Sequence, residues 1–387
     1  TSSPESNAGS SGSRSRNEEQ NENIDITITS VGGGSDYLGT LKTKFSSGDE
    51  PDIFSIAGPT ETEQFKDNLA DLSDMKATEL ALEGSLAGVT EGDKVYGIPF
   101  NQEGYGLIYN KRVFEEAGIN ADDITTMDDL EAAVETLDSQ KDDLGIEAVF
   151  ALPAKEKWVM GNHLANAYLA PEFNHDVEEA YNADTIAFEK SEEMKRMLDL
   201  QNDYSIQPTL SLDYSQQVEQ YFSLERVAII QQGNWVYPSL EQMDADFAEN
   251  NVGIMPLPVE GFEGSLPVGI PNHWGVNNNN DEETIQAAKD FLDWMYTSDE
   301  GKEAVLKDFK FIPAYEGYDT EAIADPLSKT VYEYASEGNT IGWIFLGYPS
   351  NGWGDIIGGN MQKYIDGQMT WDEAISVSRA QWEAARQ

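Results

Sequence analysis

The sequence of 387 residues contains no cysteine. This absence excludes disulfide bonds, thiolate metal ligands and a cysteine nucleophile. Only three histidines are present: His163, expected as a core or rim residue of a helix, His175, expected in a solvated loop, and His273. Their spacing forms no His-Glu zinc helix, and calcium-loop, phosphate-loop and nucleophile-elbow motifs are missing as well. We therefore expect no metal site, no cofactor and no catalytic residues, and we predict that the chain is not an enzyme.

Basic residues are scarce, since 24 lysines and arginines stand against 71 aspartates and glutamates and leave a formal net charge of −47 at pH 7. Such a surface repels the phosphates of nucleic acids and of anionic lipids, so we expect no nucleic-acid partner. The charge favours solubility and a neutral or cationic ligand, although adaptation to high salt would produce the same balance. With so many carboxylates, pairs of acids occur by chance and do not indicate a glycosidase mechanism.

Long apolar runs are also absent. No stretch is long enough to cross a bilayer, and no signal peptide is recognisable, so we expect a chain that is either cytosolic or already processed. Residues 1–23 contain no apolar side chain except Ala8, and such a segment cannot bury enough surface to offset its loss of conformational entropy. We interpret it as a flexible N-terminal tether; a cloning remnant or a frayed terminus is the alternative.

Strand and helix patterns alternate from residue 24 onward. Three isoleucines alternate with polar residues at the start, which predicts a first strand over 24–31. Further strands are predicted at 51–58, 96–100, 106–110 and 226–237. Helices are predicted at 111–119, after Thr126, at 284–297 and at 370–386, with Thr126 and Thr370 as N-caps. The alternation predicts an α/β fold with largely parallel sheets, and the length predicts two domains.

The sequence contains eight tryptophans. Three fall on amphipathic helical patterns and are interpreted as packing residues: Trp294, Trp371 and Trp382. The other five lie in stretches with Gly, Asn or Pro, or near the ends of elements: Trp158, Trp235, Trp274, Trp343 and Trp353. A tryptophan in a loop is costly to expose unless it covers something, and its flat apolar face and indole donor suit a pyranose ring. Nearby acids and amides would bind the sugar hydroxyls; the alternative is that these rings fill the core locally.

The stretch KVYGIPFNQEGYGLIYNKRVFEEAGI at 94–119 resembles the solute-binding proteins of ABC sugar transporters, the group that includes maltose-binding protein. Four further stretches agree with that family in the same order: VAIIQQGNWV, VGIMPLPVEG, PVGIPNHWGVNNNN and AAKDFLDWMYTSDEGKEAV. The resemblance extends from about residue 24 to the C-terminus. It implies a two-lobed periplasmic-binding-protein-like α/β fold with a hinge and an interlobe cleft that closes on the ligand.

The resemblance also implies how the chain is divided, with 24–110 and 276–323 as lobe 1 and 111–275 and 324–387 as lobe 2. The stretch 267–280 would return the chain to the first lobe, which makes His273 and Trp274 hinge or cleft-floor residues. The sugar would pass unchanged to the membrane permease of an ABC importer. We expect a monomeric lipoprotein on the extracellular face of the cell membrane, anchored through a cysteine upstream of this chain, with the tether as its spacer.

Carried over residue by residue, the resemblance implies a set of sugar-binding side chains. Glu103 matches an acid that bonds sugar hydroxyls, and Trp235 and Trp353 match aromatics that stack on sugar rings. Trp158 falls in a region that supplies aromatics of the second lobe, and Asp36 falls near an acid of the first lobe. Further candidates are polar or aromatic residues close to these motifs: Asn101, Asn234, Trp274, Trp343 and Tyr348.

Several loop aromatics indicate that more than one sugar ring is bound, hence an oligosaccharide. Our first expectation is an α-linked gluco-oligosaccharide of the malto type; a raffinose-type α-galactoside and a xylo-oligosaccharide are the alternatives. The family carries a tryptophan after PDI that is absent from PDIFSIAGPTE in this chain, which argues against recognition identical to that of maltose. Two other classes stay open, a glycosidase that uses two of the acids and a tethered lectin-like adhesion module.

Overall fold

A computed structural model describes residues 23–31 and 36–387. The described chain forms two compact units. Unit 1 contains the residues up to Gln102 together with Ile270–Ala324, and unit 2 contains Glu103–Gly269 together with Asp325–Gln387. Of the predicted tether, only Asn23 belongs to the described residues. Both units combine helices and strands, which confirms the α/β class.

The described residues form eleven strands, numbered here in chain order. They are β1 (Ile53–Ile56), β2 (Thr90–Glu91), β3 (Lys94–Val95), β4 (Ile98–Pro99), β5 (Glu103–Asn110), β6 (Ala148–Phe150), β7 (Val227–Gly233), β8 (Val252–Met255), β9 (Leu266–Gly269), β10 (His273–Val276) and β11 (Thr340–Ile341). Strand β5 is the longest and is buried along nearly its whole length, so it is suited to the centre of a sheet.

The α-helices are numbered in the same way. They are α1 (Tyr37–Ser47), α2 (Gly58–Phe65), α3 (Lys76–Leu80), α4 (Lys111–Glu116), α5 (Met127–Ser139), α6 (Lys141–Leu144), α7 (Ala165–Leu169), α8 (Val177–Asn182), α9 (Ser191–Asp203), α10 (Tyr237–Met243), α11 (Ala245–Asn250), α12 (Glu282–Thr297), α13 (Asp299–Glu303), α14 (Pro326–Ser336), α15 (Trp353–Ile365) and α16 (Trp371–Arg386). Three further stretches are π-helical: Val159–Leu164, Gln216–Phe222 and Ala304–Asp308. Among the described residues, none of the helices combines the length and the apolar character needed to span a membrane.

Two predicted helix starts are confirmed. Thr126 and Thr370 each accept a hydrogen bond from the main-chain N–H three residues later, and the acids at those positions, Asp129 and Glu373, bond back to the caps. Such capping boxes satisfy main-chain donors that have no partner inside the helix. The local sequence is therefore sufficient to place the starts of α5 and α16.

The central sheet of unit 1 has the strand order β1–β10–β4, and both pairs are antiparallel. Strand β10 lies in the middle, with His273 opposite Ile56 of β1. The imidazole of His273 is 2% exposed. His273 is thus a core residue of unit 1 and not the predicted hinge or cleft-floor residue, because its ring is enclosed by the sheet and its neighbours.

Strand β5 is the hub of the sheet in unit 2. It pairs with β7, β8 and β9, and all three pairs are antiparallel. Among the strands of the described residues, only β6 beside β7 and β11 beside β9 run parallel to their neighbours. The prediction of largely parallel sheets is therefore wrong. A run of buried apolar residues indicates that a strand exists, but it carries no information about the direction of the neighbouring strands.

Two further expectations differ from the structure. Residues 24–31 form no strand, and Ile28 is 42% exposed; an alternating pattern does not supply the pairing that stabilises a strand. Strand β5, expected at the end of lobe 1, lies in unit 2 because the three strands paired with it lie there. The chain consequently crosses between the units after Gln102, Gly269 and Ala324, and not after 110, 275 and 323.

His273 makes the stability of the fold depend on pH. Its Nε2 lies 2.7 Å from the carbonyl oxygen of Ser85 and donates to it. Burial lowers the pKa of His273 to about 4 from 6.5, although the hydrogen bond to Ser85 acts in the opposite direction. The unfolded chain thus takes up a proton near pH 6.5, whereas the folded chain does so near pH 4. Between these values the free energy of unfolding falls with falling pH, by up to about 1.4 kcal/mol per pH unit.

We expect His273→Gln, which keeps a donor for Ser85, to lose this part of the pH dependence. Denaturant unfolding of the wild-type protein and of the variant, between about pH 7 and pH 5, measures the difference. The stability of the wild-type protein relative to the variant should decrease as the pH falls. If the two proteins show the same pH dependence, the imidazole of His273 takes up its proton at the same pH in the folded and unfolded chains, and the argument is wrong.

Candidate functional site

Aromatic side chains of unit 2 converge around His163. Five rings have centroids 4.4 to 6.1 Å from that of its imidazole: Tyr105, Trp158, Trp235, Trp343 and Phe345. We call these five rings together with His163 the aromatic group. Tyr105 stacks nearly parallel on the imidazole at 4.4 Å, whereas Trp158 meets it edge-on at 5.4 Å. Three of the five predicted loop tryptophans therefore belong to one cluster.

The π-helix Val159–Leu164 positions Trp158 and His163. Trp158 is the N-cap residue of this helix. Gly161 allows the helix to approach α15 closely, because a Cβ atom at this position would collide with a carbonyl oxygen of α15. The carbonyl oxygen of His163 accepts a hydrogen bond of 2.6 Å from Tyr105 Oη. Tyr105 thus holds His163 both through its main chain and through its ring.

Trp235 lies two residues after the end of β7 and covers Gly233, the last residue of that strand. A Cβ atom at Gly233 would collide with the Trp235 ring and would lie 2.5 Å from the carbonyl oxygen of Gly104. The indole Nε1 donates to Gln232 Oε1 at 3.1 Å, and Gln232 Nε2 donates to Gln217 Oε1 at 2.9 Å. Both glutamines are buried. Trp235 therefore presents a half-buried ring whose polar atom is already hydrogen-bonded inside the protein.

Trp343 follows β11 and lies against Gly269, the last residue of β9. A Cβ atom at Gly269 would collide with the Trp343 ring. The Trp343 ring is 7% exposed, and its Nε1 has no hydrogen-bond partner among the described residues. It lies 5.0 Å from the ring of Phe345 and 6.1 Å from that of Tyr105. Trp343 thus forms an inner wall of the aromatic group and not an exposed stacking face.

The strand register places Glu103 beside the aromatic group. On β5, Glu103 lies opposite Gly269 of β9, and Tyr105 lies opposite Gly233 of β7. Side chains two residues apart point to the same face of a strand, so Glu103 shares the face of Tyr105. Asn234 accepts a hydrogen bond of 2.9 Å from the main-chain N–H that follows Glu103. The turn after β7 is thereby tied to the start of β5.

The negative charge of Glu103 affects the pKa of a neighbouring tyrosine. Burial first, and then the negative charges of Glu219 and Glu103, raise the pKa of Tyr214 to about 12. The ring of Tyr214 lies 5.7 Å from that of Trp158. The half-buried carboxylate of Glu103 therefore lies in the neighbourhood of Trp158 and Tyr214, at the margin of the aromatic group.

The chemistry offered here is that of a binding site for a neutral molecule. Burial lowers the pKa of His163 to about 3, so the imidazole is uncharged at ordinary pH. The described residues contain no group of three or more His, Cys, Asp or Glu side chains arranged to hold a metal ion. Flat apolar faces, one neutral imidazole and the neighbouring carboxylate of Glu103 suit a ligand that combines C–H faces with hydroxyl groups.

Two predicted site residues lie in the core of unit 2 instead. Trp353 is 0% exposed, donates its Nε1 to the carbonyl oxygen of Ser378 at 2.7 Å and packs edge-on against Trp382 at 4.8 Å. Tyr348 is 7% exposed and donates to the carbonyl oxygen of Gly161 at 3.1 Å. Neither ring has a face available for stacking on a ligand, so we reassign both to packing.

The remaining candidates belong to unit 1. Asp36 is exposed and is the N-cap of α1, where its carboxylate accepts a main-chain hydrogen bond of 2.9 Å. Trp274 is half-buried, stacks on Phe100 at 4.2 Å and donates its Nε1 to Tyr296 Oη at 2.8 Å. Asn101 is half-buried between β4 and β5. A role of these residues in ligand binding stays a prediction.

Sequence reasoning missed the centre of the aromatic group. Trp158 and His163 are five positions apart, and side chains at that spacing do not lie together on a regular α-helix. The wider π-helical turn brings them together, and no local sequence signal predicts such a turn here. Tyr105 and Phe345 were also missed, because each looks like an ordinary core residue in sequence.

Residues 15–302, well over half of the chain, match the family of bacterial extracellular solute-binding proteins. The chain belongs to this family. The match confirms the resemblance found in the sequence, and the description of the family as extracellular agrees with the predicted location of this solute-binding protein.

Known relatives of this solute-binding protein include sugar-binding proteins. The melibiose/raffinose/stachyose-binding protein MelE of Bacillus subtilis (strain 168) is 24% identical over 330 residues, which cover 84% of this chain and 74% of MelE. The crystal structure of the binding protein msme of Bacillus subtilis subsp. subtilis str. 168 has a TM-score of 0.79 at 21% identity, over 100% of this chain and 95% of that chain. A sugar transporter of Bacillus licheniformis in complex with stachyose has a TM-score of 0.70 at 20% identity, over 100% and 98%. These structural likenesses show the fold, whereas the hinge, the cleft and the lipid anchor stay predictions.

The position of Trp343 on Gly269 gives a direct test of the aromatic group. The three atoms nearest to a Cβ at Gly269 all belong to Trp343, so Gly269→Ala should displace the indole. We expect a shifted tryptophan fluorescence spectrum and a loss of about 1–3 kcal/mol in the free energy of unfolding, as in other overpacked sites. Emission spectra and thermal unfolding measure both effects.

The matched control is Gly359→Ala in α15, where the nearest atom to the new Cβ would be Lys157 Cε at 3.8 Å. This variant should keep the fluorescence spectrum and gain up to about 1 kcal/mol, because alanine favours a helix interior over glycine. An unchanged spectrum and an unchanged Tm in Gly269→Ala would contradict the described position of Trp343.

Proposed function

We propose that this protein binds a neutral oligosaccharide, an α-galactoside of the raffinose type, and delivers it unchanged to the membrane permease of an ABC importer. The observation that carries the proposal is the aromatic group of unit 2 with Glu103 beside it. The half-buried rings of Trp158 and Trp235 can cover the C–H faces of sugar rings. Glu103 can accept charge-assisted hydrogen bonds from the hydroxyls at the edge of a sugar.

The electrostatics of the chain support a neutral ligand. The formal net charge of −47 disfavours an anion. Within the aromatic group, the one titratable group that could become cationic is His163, and burial lowers its pKa to about 3. An uncharged sugar is not repelled by the negative charge of the chain and needs no cationic group in the site. Its hydroxyls can donate hydrogen bonds to a carboxylate.

The names of relatives support the raffinose-type alternative better than our first expectation of a malto-oligosaccharide. MelE is named for melibiose, raffinose and stachyose, and the Bacillus licheniformis structure contains stachyose. These three sugars share an α-galactosyl end, which we propose as the recognised element. Binding of a malto- or xylo-oligosaccharide instead is one of the outcomes that the thermal-shift screen described below can detect.

We propose distinct roles for the candidate residues. In unit 2, Trp158 and Trp235 stack on sugar rings, Glu103 binds hydroxyls, Asn234 fixes the turn that carries Trp235, and Trp343 supports the other rings from behind. Asp36, Asn101 and Trp274 of unit 1 are proposed as further contacts. We also propose that the protein acts as a monomer, tethered by residues 1–23 to a lipid anchor upstream of this chain.

A thermal-shift screen tests the ligand class first. Raffinose, stachyose, maltotriose, xylotriose and a monosaccharide control are compared, and a ligand present at 100 times its Kd should stabilise the folded protein by about 2.7 kcal/mol. We expect a rise in Tm with raffinose and stachyose. A rise with maltotriose or xylotriose alone would replace the α-galactoside assignment, and no rise with any oligosaccharide would contradict the proposed function. Shortening of the sugar during incubation would indicate a glycosidase.

Trp235 provides the sharpest test of the site. We expect Trp235→Ala to raise the Kd of raffinose at least about tenfold, because a stacking face worth about 1.5 kcal/mol is lost. Isothermal titration calorimetry measures the Kd, and the Tm of the ligand-free variant should stay within a few degrees of the wild-type value, since the ring is only half-buried.

The matched control is Trp294→Ala in α12, which removes another half-buried tryptophan, one that stacks on Phe291 at 6.2 Å in unit 1. Its Kd for raffinose should equal that of the wild-type protein. If Trp235→Ala also retains the wild-type Kd, Trp235 does not belong to the site; if it fails to fold, Trp235 is a core residue.

A further inference from the structure

The imidazoles of His273 and His163 are both buried but differ in their hydrogen bonds. His273 Nε2 lies 2.7 Å from the carbonyl oxygen of Ser85. His163 is 9% exposed, and among the described residues its hydrogen bond with Tyr105 engages the His163 carbonyl oxygen and not the ring. The ring nitrogens of His163, unlike both of those of His175, are not fully buried. A ligand that covers the aromatic group can therefore reach them.

Contacts with Tyr105 hold both the ring and the main chain of His163. Tyr105 stacks on it at 4.4 Å with an angle of 17° between the planes, and the Tyr105 hydroxyl holds the main chain of His163 at 2.6 Å. Asn166 Nδ2 donates to the same hydroxyl at 3.1 Å, and Asn166 Oδ1 accepts from the main-chain N–H of Ile344 at 2.7 Å. The imidazole is thus fixed in advance at the centre of the aromatic group.

We propose that His163 is a specificity-determining residue of the sugar site, whose imidazole exchanges hydrogen bonds with a hydroxyl of the bound oligosaccharide. The inference rests on the proposed function. It adds to the proposed site a residue that the sequence motifs did not predict to bind the sugar. Trp158 and Trp235 would stack on the sugar faces, while the imidazole would select the position of a hydroxyl between them.

The chemistry of a neutral imidazole matches a hydroxyl. One ring nitrogen donates and the other accepts, and a hydroxyl can do both as well. A carboxylate ligand could only accept, and an ammonium group could only donate. Burial lowers the pKa of His163 to about 3, so this donor and acceptor pair persists over the whole range of ordinary pH.

The test uses His163→Phe, which keeps an aromatic ring but removes both nitrogens. We expect the Kd of raffinose, or of the trisaccharide selected by the thermal-shift screen, to rise about tenfold. The Tm of the ligand-free variant should stay close to that of the wild-type protein, because phenylalanine keeps an aromatic ring among the five. A residue that serves packing alone would give the opposite pair of results, a lower Tm with an unchanged Kd.

The matched control is His175→Phe. Both ring nitrogens of His175, predicted in a solvated loop, are buried without a partner among the described residues. Its ring lies 4.7 Å from that of Phe262, outside the aromatic group. The same substitution at this position should leave the Kd unchanged. An equal loss of affinity in both variants would overturn the assignment to His163.

A second measurement does not depend on the folding of a variant. In ¹⁵N spectra of the wild-type protein, the ring nitrogens of His163 should shift when the sugar binds, whereas those of His175 should not. Saturation with a bound sugar that leaves the His163 resonances unchanged would overturn the inference while the proposed function stands. If the wild-type protein binds none of the sugars, the proposed function itself fails, and the inference fails with it.

Discussion

Two indole rings lie directly on the main chain of the sheet in unit 2, where glycine leaves the space for them. Gly233 of β7 lies beneath Trp235, and Gly269 of β9 lies beneath Trp343. Strand β5 runs between these two strands, with Glu103 opposite Gly269 and Tyr105 opposite Gly233. The position of the whole aromatic group depends on this close approach, since any larger residue at either glycine would occupy the volume of a ring.

The sequence predicted features of the fold that a few neighbouring residues determine. The helix starts at Thr126 and Thr370 are of this kind, because a cap acts on main-chain groups within one turn. The direction of a strand relative to its neighbours, in contrast, is not determined by nearby residues. The three antiparallel neighbours of β5 come from distant parts of the chain, and the same apolar run could pair in either direction. The pattern at 24–31 failed for a related reason, because it carries no information about a partner strand.

The candidate site was predictable where a residue type and its motif coincide, as for Glu103 and Trp235. Trp353 shows the limit of such reasoning. It lies in a Gly- and Asn-containing stretch like the others, yet its indole donates to Ser378 inside the core, and composition does not distinguish the two situations. His163 shows the opposite error, because its sequence context offered no reason to count it among the site residues. It reaches the aromatic group through a π-helical turn, which depends on packing against α15.

The order of strands in unit 1 restricts when that unit can fold. Strand β10 lies between β1 and β4, but residues 103–269, which belong to unit 2, separate it from both in the chain. During synthesis β1 and β4 therefore precede their shared partner by a long interval, and closing so large a loop is slow. A nascent chain with this topology keeps the sheet of unit 1 incomplete until most of the polypeptide exists.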